Sequence, residues 1–221
     1  MKRTATAKRL VPYITSRRGE YGELESELTL SMGTFGRTRL AYRHETQDDR
    51  GPRGELWGRC AQTLDASGRP TGKPQWRLVH PTRQREAMRQ LRCQIKFCPA
   101  ETPDGYLFLA GAAEGEPHRP GKPIRTAQPP VCLAHARPSV EQCKHLREKG
   151  HVAFLARKPT MYGVIGTRYR FAQNGLEPLP AQDDEPLPYD HPQLGWFLAS
   201  QLVRELRDYD VVNLDDLVPA A

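Results

Sequence analysis

Two short ligand pairs carry the most specific chemistry in this chain. Cys93 and Cys98 have four residues between them, Cys132 and His135 have two, and 33 residues separate the pairs. Thiolate and imidazole together suit Zn2+ over Mg2+, and paired ligands let each segment bite the ion at little ordering cost. If all four close a tetrahedral shell, the metal is structural and does no chemistry. Cys143 and His145 are rival ligands, but two positions apart on a helix they point in different directions, so at most one can join the set. Cys60 and Cys143 otherwise read as reduced, small apolar residues. An odd total of five Cys argues against a disulfide framework.

Acid–base and anion chemistry has fewer candidates. Asp190-His191 is the only Asp-His neighbour pair, and a His that titrates near neutrality is the usual general base. The same residues, followed by Pro192, also suit the N-cap of a following helix. Arg157, Lys158, Arg168 and Arg170 flank two predicted strands, and alternation puts Arg168 and Arg170 on one face as an anion clamp or a solvated surface. Arg85, Arg89 and Arg92 share a helix face at i, i+4 and i+7, a spacing suited to a carboxylate, a sulfate or a phosphate backbone. Gly163-x2-Gly166 lacks the Lys and Ser or Thr of a phosphate loop, and neither a nucleophile elbow nor an HExxH motif is present.

The elements that must position these groups follow from periodicity and breakers. Alternation at Leu28, Leu30 and Met32, then at Leu40 and Tyr42, predicts an antiparallel pair, and Leu56 to Cys60 and Trp76 to Val79 extend the β-rich first third. Arg83 to Arg92 reads as a short helix with Ala87, Met88 and Leu91 on its apolar side. Ser139-x-x-Gln142 has the capping-box form, so a helix is predicted over 140–149 and ended by Gly150. Strands are predicted over 152–156 and 161–171, and a loop over 114–130. Leu194, Phe197, Leu198, Leu202, Val203 and Leu206 recur at helical spacing and predict a last helix over 192–208. The predicted fold is α+β, an antiparallel sheet with a treble-clef-like zinc knuckle and about three helices. Its divisions are a basic arm (1–26), one core (27–171) with the knuckle at 93–150, a Pro-rich acidic linker (172–190), and a C-terminal helix packed on the core with an acidic tail (191–221).

The stretch His80-Pro81-Thr82-Arg83-Gln84-Arg85-Glu86-Ala87-Met88, with Leu91-Arg92-Cys93, Gln128-Pro129-Pro130-Val131-Cys132 and Cys143-Lys144-His145-Leu146, resembles a group of uncharacterised actinobacterial proteins with two Cys pairs. The resemblance spans roughly residues 40–170. It implies a Cys where Lys96 stands and often one where His135 stands, so Cys98 must substitute for the first. In size, with no diagnostic motif, the chain also resembles the aziridine-forming proteins of azinomycin-type pathways. That resemblance implies sulfate elimination by an internal amine, a sulfotransferase-like partner subunit and a small acidic carrier protein.

Length and charge bound the remaining choices. The chain has 221 residues with 33 Lys and Arg against 26 Asp and Glu, a surplus that attracts anions without choosing among them. Lys2, Arg3, Lys8, Arg9, Arg17 and Arg18 crowd the start, and Asp208, Asp210, Asp215 and Asp216 the end. Twenty Pro and 18 Gly demand long connections. The apolar run from Tyr106 to Ala113 is too short to span a bilayer and no secretory signal precedes it, so a cytoplasmic protein with no membrane partner is expected. Two functions fit. One is an accessory enzyme or subunit of specialised metabolism that acts on a sulfated, phosphorylated or carrier-bound small molecule, with Arg157, Lys158, Arg168, Arg170, Arg85 and Arg89 as anion ligands and His191 or Asp190 as base. The other is a zinc-stabilised nucleic-acid-binding or regulatory protein without catalysis.

Overall fold

The residues Phe197 to Leu206 form a strand, where apolar spacing predicts a helix. Val203 and Leu202 are each 1% exposed although neighbours in a strand point to opposite faces, so this strand is covered on both sides. A doubly covered strand shows no alternation, and Leu198, Leu202 and Leu206 then imitate a helical stripe.

The computed structural model describes residues 9–20, 27–33, 36–112, 122–180 and 185–218. In chain order the elements are β1 (Thr15–Arg17), β2 (Leu28–Met32), β3 (Thr38–Tyr42), β4 (Leu56–Trp57), β5 (Pro74–Val79), α1 (Pro81–Arg89), β6 (Glu101–Thr102), β7 (Gly105–Gly111) and β8 (Ile124–Thr126). They continue as α2 (Leu133–Gln142), α3 (Lys144–Lys149), β9 (His151–Ala156), β10 (Thr160–Ala172), β11 (Gly175–Pro178), β12 (Leu187–Pro188), β13 (Phe197–Leu206), β14 (Tyr209–Val212) and α4 (Leu214–Leu217). The fold is mixed α+β and mostly sheet, with four α-helices among the described residues. No helix of these residues is long and apolar enough to cross a membrane.

The largest sheet runs β11-β10-β13-β4, with β12 added to β10 and β8 to β13; the β13–β4 contact is parallel and the rest antiparallel. One edge of β13 pairs with β4 at Leu198 and Ala199 and with β8 from Arg204 to Leu206. Between these short strands, buried Gln84 of α1 takes the place of a strand. Its side-chain amide donates to the Leu202 carbonyl at 2.9 Å and accepts from the Leu202 N–H at 2.9 Å. Arg204 returns the tie by donating to the Met88 and Arg89 carbonyls at the C-terminus of α1, where a cation is favoured. Gln84→Leu keeps the bulk but strands both Leu202 groups, so a loss of about 3 kcal/mol is expected in denaturant unfolding. A loss below about 1 kcal/mol would show that water replaces the amide.

The second sheet runs β14-β9-β7-β6, all antiparallel, with Tyr106 opposite Ala156 and Gly111 opposite His151. Alternation along β7 and β9 splits their side chains between two cores. Leu107, Leu109 and Ala153 join Cys93, Ile95, Val131 and Ala136, whereas Phe108 and Phe154 pack with Leu206 of the large sheet.

Further expectations change as well. The predicted helix over 140–149 is two helices, because α2 starts at Leu133 and the chain turns extended at Cys143, ψ 114°, before α3. Ser139 lies inside α2 and its hydroxyl donates backward to the His135 carbonyl instead of capping forward. Of the basic arm, residues 10–17 and Glu20 are packed, with Arg17 4% and Glu20 1% exposed, whereas Lys2, Arg3, Lys8 and residues 21–26 lie outside the described residues. The linker 172–190 holds β11 and β12, both paired to β10, and of the predicted loop 114–130 the described part contains β8.

Candidate metal centre

The end of α1 delivers the first ligand. The helix closes with the Arg92 N–H donating to the Ala87 carbonyl, while Leu91 adopts φ +50° where a glycine is usual. That turn points the chain straight into Cys93. The four residues between Cys93 and Cys98 then fold back on themselves: the Phe97 N–H donates to the Cys93 carbonyl at 2.8 Å, and the Cys93 N–H to the Cys98 carbonyl at 2.9 Å. Phe97 sits at φ +57°, held by stacking on Tyr13 with ring centroids 4.8 Å apart. Tyr13 in turn donates its N–H to the Ile95 carbonyl, so the N-terminal segment clamps the knuckle.

The second pair lies at the start of α2, with Cys132 as N-cap residue and His135 in the first turn. Its segment is tied to the knuckle by Gln94 N–H to the Pro130 carbonyl and to β7 by Val131 N–H to the Leu107 carbonyl. The hairpin of β6 and β7 therefore connects the two pairs. Cys93, Cys98, Cys132 and His135 place their ligand atoms all within 4.8 Å of one another, close enough to hold a metal ion.

The spacing can be tested against zinc. Bonds of about 2.3 Å to sulfur and about 2.05 Å to nitrogen at tetrahedral angles put ligand atoms roughly 3.5 to 3.8 Å apart. Cys98 and Cys132 sulfurs are 3.6 Å apart, and His135 Nδ1 lies 3.6 Å from Cys93 and 3.7 Å from Cys98. Cys132 to His135 is tighter at 3.0 Å, so one of these side chains must yield by about half an ångström. Burial pushes all three thiols up and the His135 imidazole down. Against that trend, N–H groups of Cys132, Ile95 and Lys96 point at the Cys93 sulfur and favour its thiolate. A dication among these atoms would favour the thiolates far more strongly. Cys143 is exposed, and neither it nor His145 belongs to the cluster, so the rival ligands are set aside.

The anion candidates are scattered. Arg157 binds Asp208 at 2.8 Å and also Asp210, Arg170 binds Glu177 at 3.2 Å, and Lys158 is exposed at the β9–β10 turn. Arg85 and Arg89 line a hollow of about 790 Å3, but Asp48, Asp49 and Glu86 line it beside Arg59, so acids match bases there. Arg85 also lies over the Trp57 ring at 5.0 Å, away from an open helix face.

Arg168 and His191 do meet in one groove, with Arg125, Tyr162 and Glu185. Arg168 donates to the Gln193 side chain at 2.8 Å, and the Gln193 N–H donates to His191 Nδ1 at 3.2 Å. One ring nitrogen of His191 is therefore engaged with the backbone beside Arg168. Asp190 is exposed and does not line the groove, and the turn after it is a 3-10 helix, Leu194–Trp196, not an α-helix to be capped.

Sequence reasoning passed over one cavity altogether. A hollow of about 770 Å3 lies between β5, the knuckle and α3, and its walls include Trp76, Leu78, Ile95, Leu109 and Leu146. Trp76 and Leu78 alternate with Gln75 and Arg77 along β5, and an alternation that faces water at 46% and 41% exposure was the available signal.

No family model matches the chain, and no curated protein or solved structure is significantly similar to it.

Proposed function

We propose that this chain is a zinc-stabilised protein whose metal is structural and which handles a small anionic molecule away from that metal, as an accessory protein or enzyme subunit. The observation that carries the reading is the four-ligand cluster of Cys93, Cys98, Cys132 and His135. Three sulfurs and one imidazole favour Zn2+ over the oxygen-seeking Mg2+ and Ca2+, and four protein ligands leave no position for water or substrate. The order knuckle, hairpin, ligand-bearing helix supports a treble-clef arrangement. Chemistry, where there is any, therefore belongs elsewhere on the molecule. A charge of +7 supports an anionic ligand. Ring closure by sulfate elimination would need a base, and His191 holds its Nδ1 in a hydrogen bond.

Metal content of the purified protein tests the reading. One equivalent of zinc is expected in the parent and in Cys143→Ala, and none in Cys132→Ala. A parent protein that folds without metal would sink it.

A further inference from the structure

We propose that the cavity between β5, the knuckle and α3 is a binding site for a small anionic amphiphile, such as an aryl or acyl carboxylate, sulfonate or phosphate ester. The proposal rests on the zinc reading in one respect: the ligand segments build two of its walls. Gln94 and Ile95 of the knuckle and Ser139 and Gln142 of α2 line the cavity, so the metal that fixes those segments also shapes the site.

Size comes first. About 770 Å3 lies inside the range of roughly 300 to 1,000 Å3 that encloses small ligands. Next comes the lining. Trp76 and Leu78 project from β5 with 46% and 41% of their surfaces in water, and Ile14, Ile95, Leu109 and Leu146 continue the apolar wall. Water against so much clustered apolar surface is unfavourable, and an apolar ligand body relieves it. Within β1 and β5 the neighbouring strand leaves these side chains unpacked, because the two form a sheet of their own.

Charge selects the head group. Arg9, Arg77, Lys144 and Lys149 are among the lining residues, and Glu148 is the acid among them. Arg9 is spread over the Trp76 ring at 4.0 Å, and Lys144 reaches Glu148 only at 3.9 Å with both side chains more than half exposed. Such a lining attracts an anion and repels a cation. It also disfavours the chain's own first eight residues as the occupant, because Lys2, Arg3 and Lys8 stand there with no acid.

The test uses the full-length protein and two fluorescent probes of similar shape, the anionic 8-anilinonaphthalene-1-sulfonate and the neutral N-phenyl-1-naphthylamine. The sulfonate should bind saturably at one site and more weakly as salt is added, while the neutral probe ignores salt. In the Lys144→Glu, Lys149→Glu double variant, sulfonate affinity should fall roughly tenfold and the neutral probe should be unaffected. Leu78→Asp should abolish binding of both. These positions are exposed, so the fold survives the changes. Equal sulfonate binding by the double variant would overturn the charge selection, and absence of saturable binding would overturn the site. A doubled mass in sedimentation, with probe binding only on dilution, would assign the cavity to contact between copies instead. Zinc is assayed in the same samples. Protein with one zinc that takes no probe refutes the cavity and spares the metal reading, whereas zinc-free protein that takes probe does the reverse.

Discussion

Stripping zinc with a strong chelator at neutral pH is expected to cost more stability than any single substitution, on the order of 5 kcal/mol or more. The reason lies in what the ligands hold together. Cys93, Ile95, Val131 and Ala136 come from the two ligand segments and form one core with Leu107, Leu109, Ala153 and Leu214. Leu214 belongs to α4, and Arg137 of α2 ties that helix by donating to Asp215 at 2.7 Å and to the Val218 carbonyl. Without the ion, one buried thiol, two partly buried thiols and an imidazole crowd within 4.8 Å with no charge to organise them, and the positive φ of Leu91 and Phe97 loses its compensation. The remaining cores contain no ligand: Trp57, Met88 and Leu202 in one, Leu40, Tyr42 and Leu56 in another. Hydrogen exchange should therefore open α2, α3 and the knuckle first, and leave the pairing of β10 with β13 protected. Apoprotein that melts within about 2 °C of the metal-loaded form would contradict this, since a shift of that size is worth no more than about 1 kcal/mol.

The ligand set was legible because its chemistry is local. Two residue types with short separations announce a metal whatever the intervening chain does, and the four residues come together as their spacing implies. The elements around them were less so. Pro138 reads as a breaker before a new helix, yet it sits inside α2, and the capping-box letters of Ser139 and Gln142 serve other partners, His135 and Leu10. The strand β13 was misread because burial on both faces erases the period-two signal. Gln84 shows a deeper limit: nothing local marks a helical glutamine as the replacement for a missing length of strand, because its partner Leu202 is 118 residues away. Charge misled in a similar way. Arg83, Arg85 and Arg89 look alike in the sequence, but Arg83 is fully buried, Arg85 covers Trp57, and only Arg89 faces water.

Glu20→Ala should be the most damaging substitution outside the metal centre, at about 3 to 5 kcal/mol. Arg83 is 0% exposed and gives both terminal nitrogens to Glu20 at 2.7 Å, one to each carboxylate oxygen. The same carboxylate accepts from the Arg17 N–H at 2.5 Å and the Thr63 N–H at 3.0 Å, so one side chain joins β1, α1 and the loop after β4. Removing it leaves a guanidinium buried and uncompensated, which is the costly way to break such a pair. A Glu20→Met, Arg83→Met double variant should recover most of the loss, because neither charge then needs desolvation. If the double variant is no better than the single one, the damage comes from the lost backbone bonds to Arg17 and Thr63. Acid offers an independent check. Burial alone would raise the Glu20 carboxyl, but the hydrogen bonds from Arg83, Thr63 and Arg17 hold it down at about 2. Asp49, clasped by Arg59 despite its burial, is likewise held at about 2. A carboxyl that is more acidic folded than unfolded contributes fully above its ordinary value and loses that contribution as pH falls toward the folded one. Stability should thus be level above pH ~5 and decline between pH ~4.5 and ~2, and the slope should be shallower in Glu20→Gln. Equal slopes in the two proteins would mean that the pair does not set the acid limit of the fold.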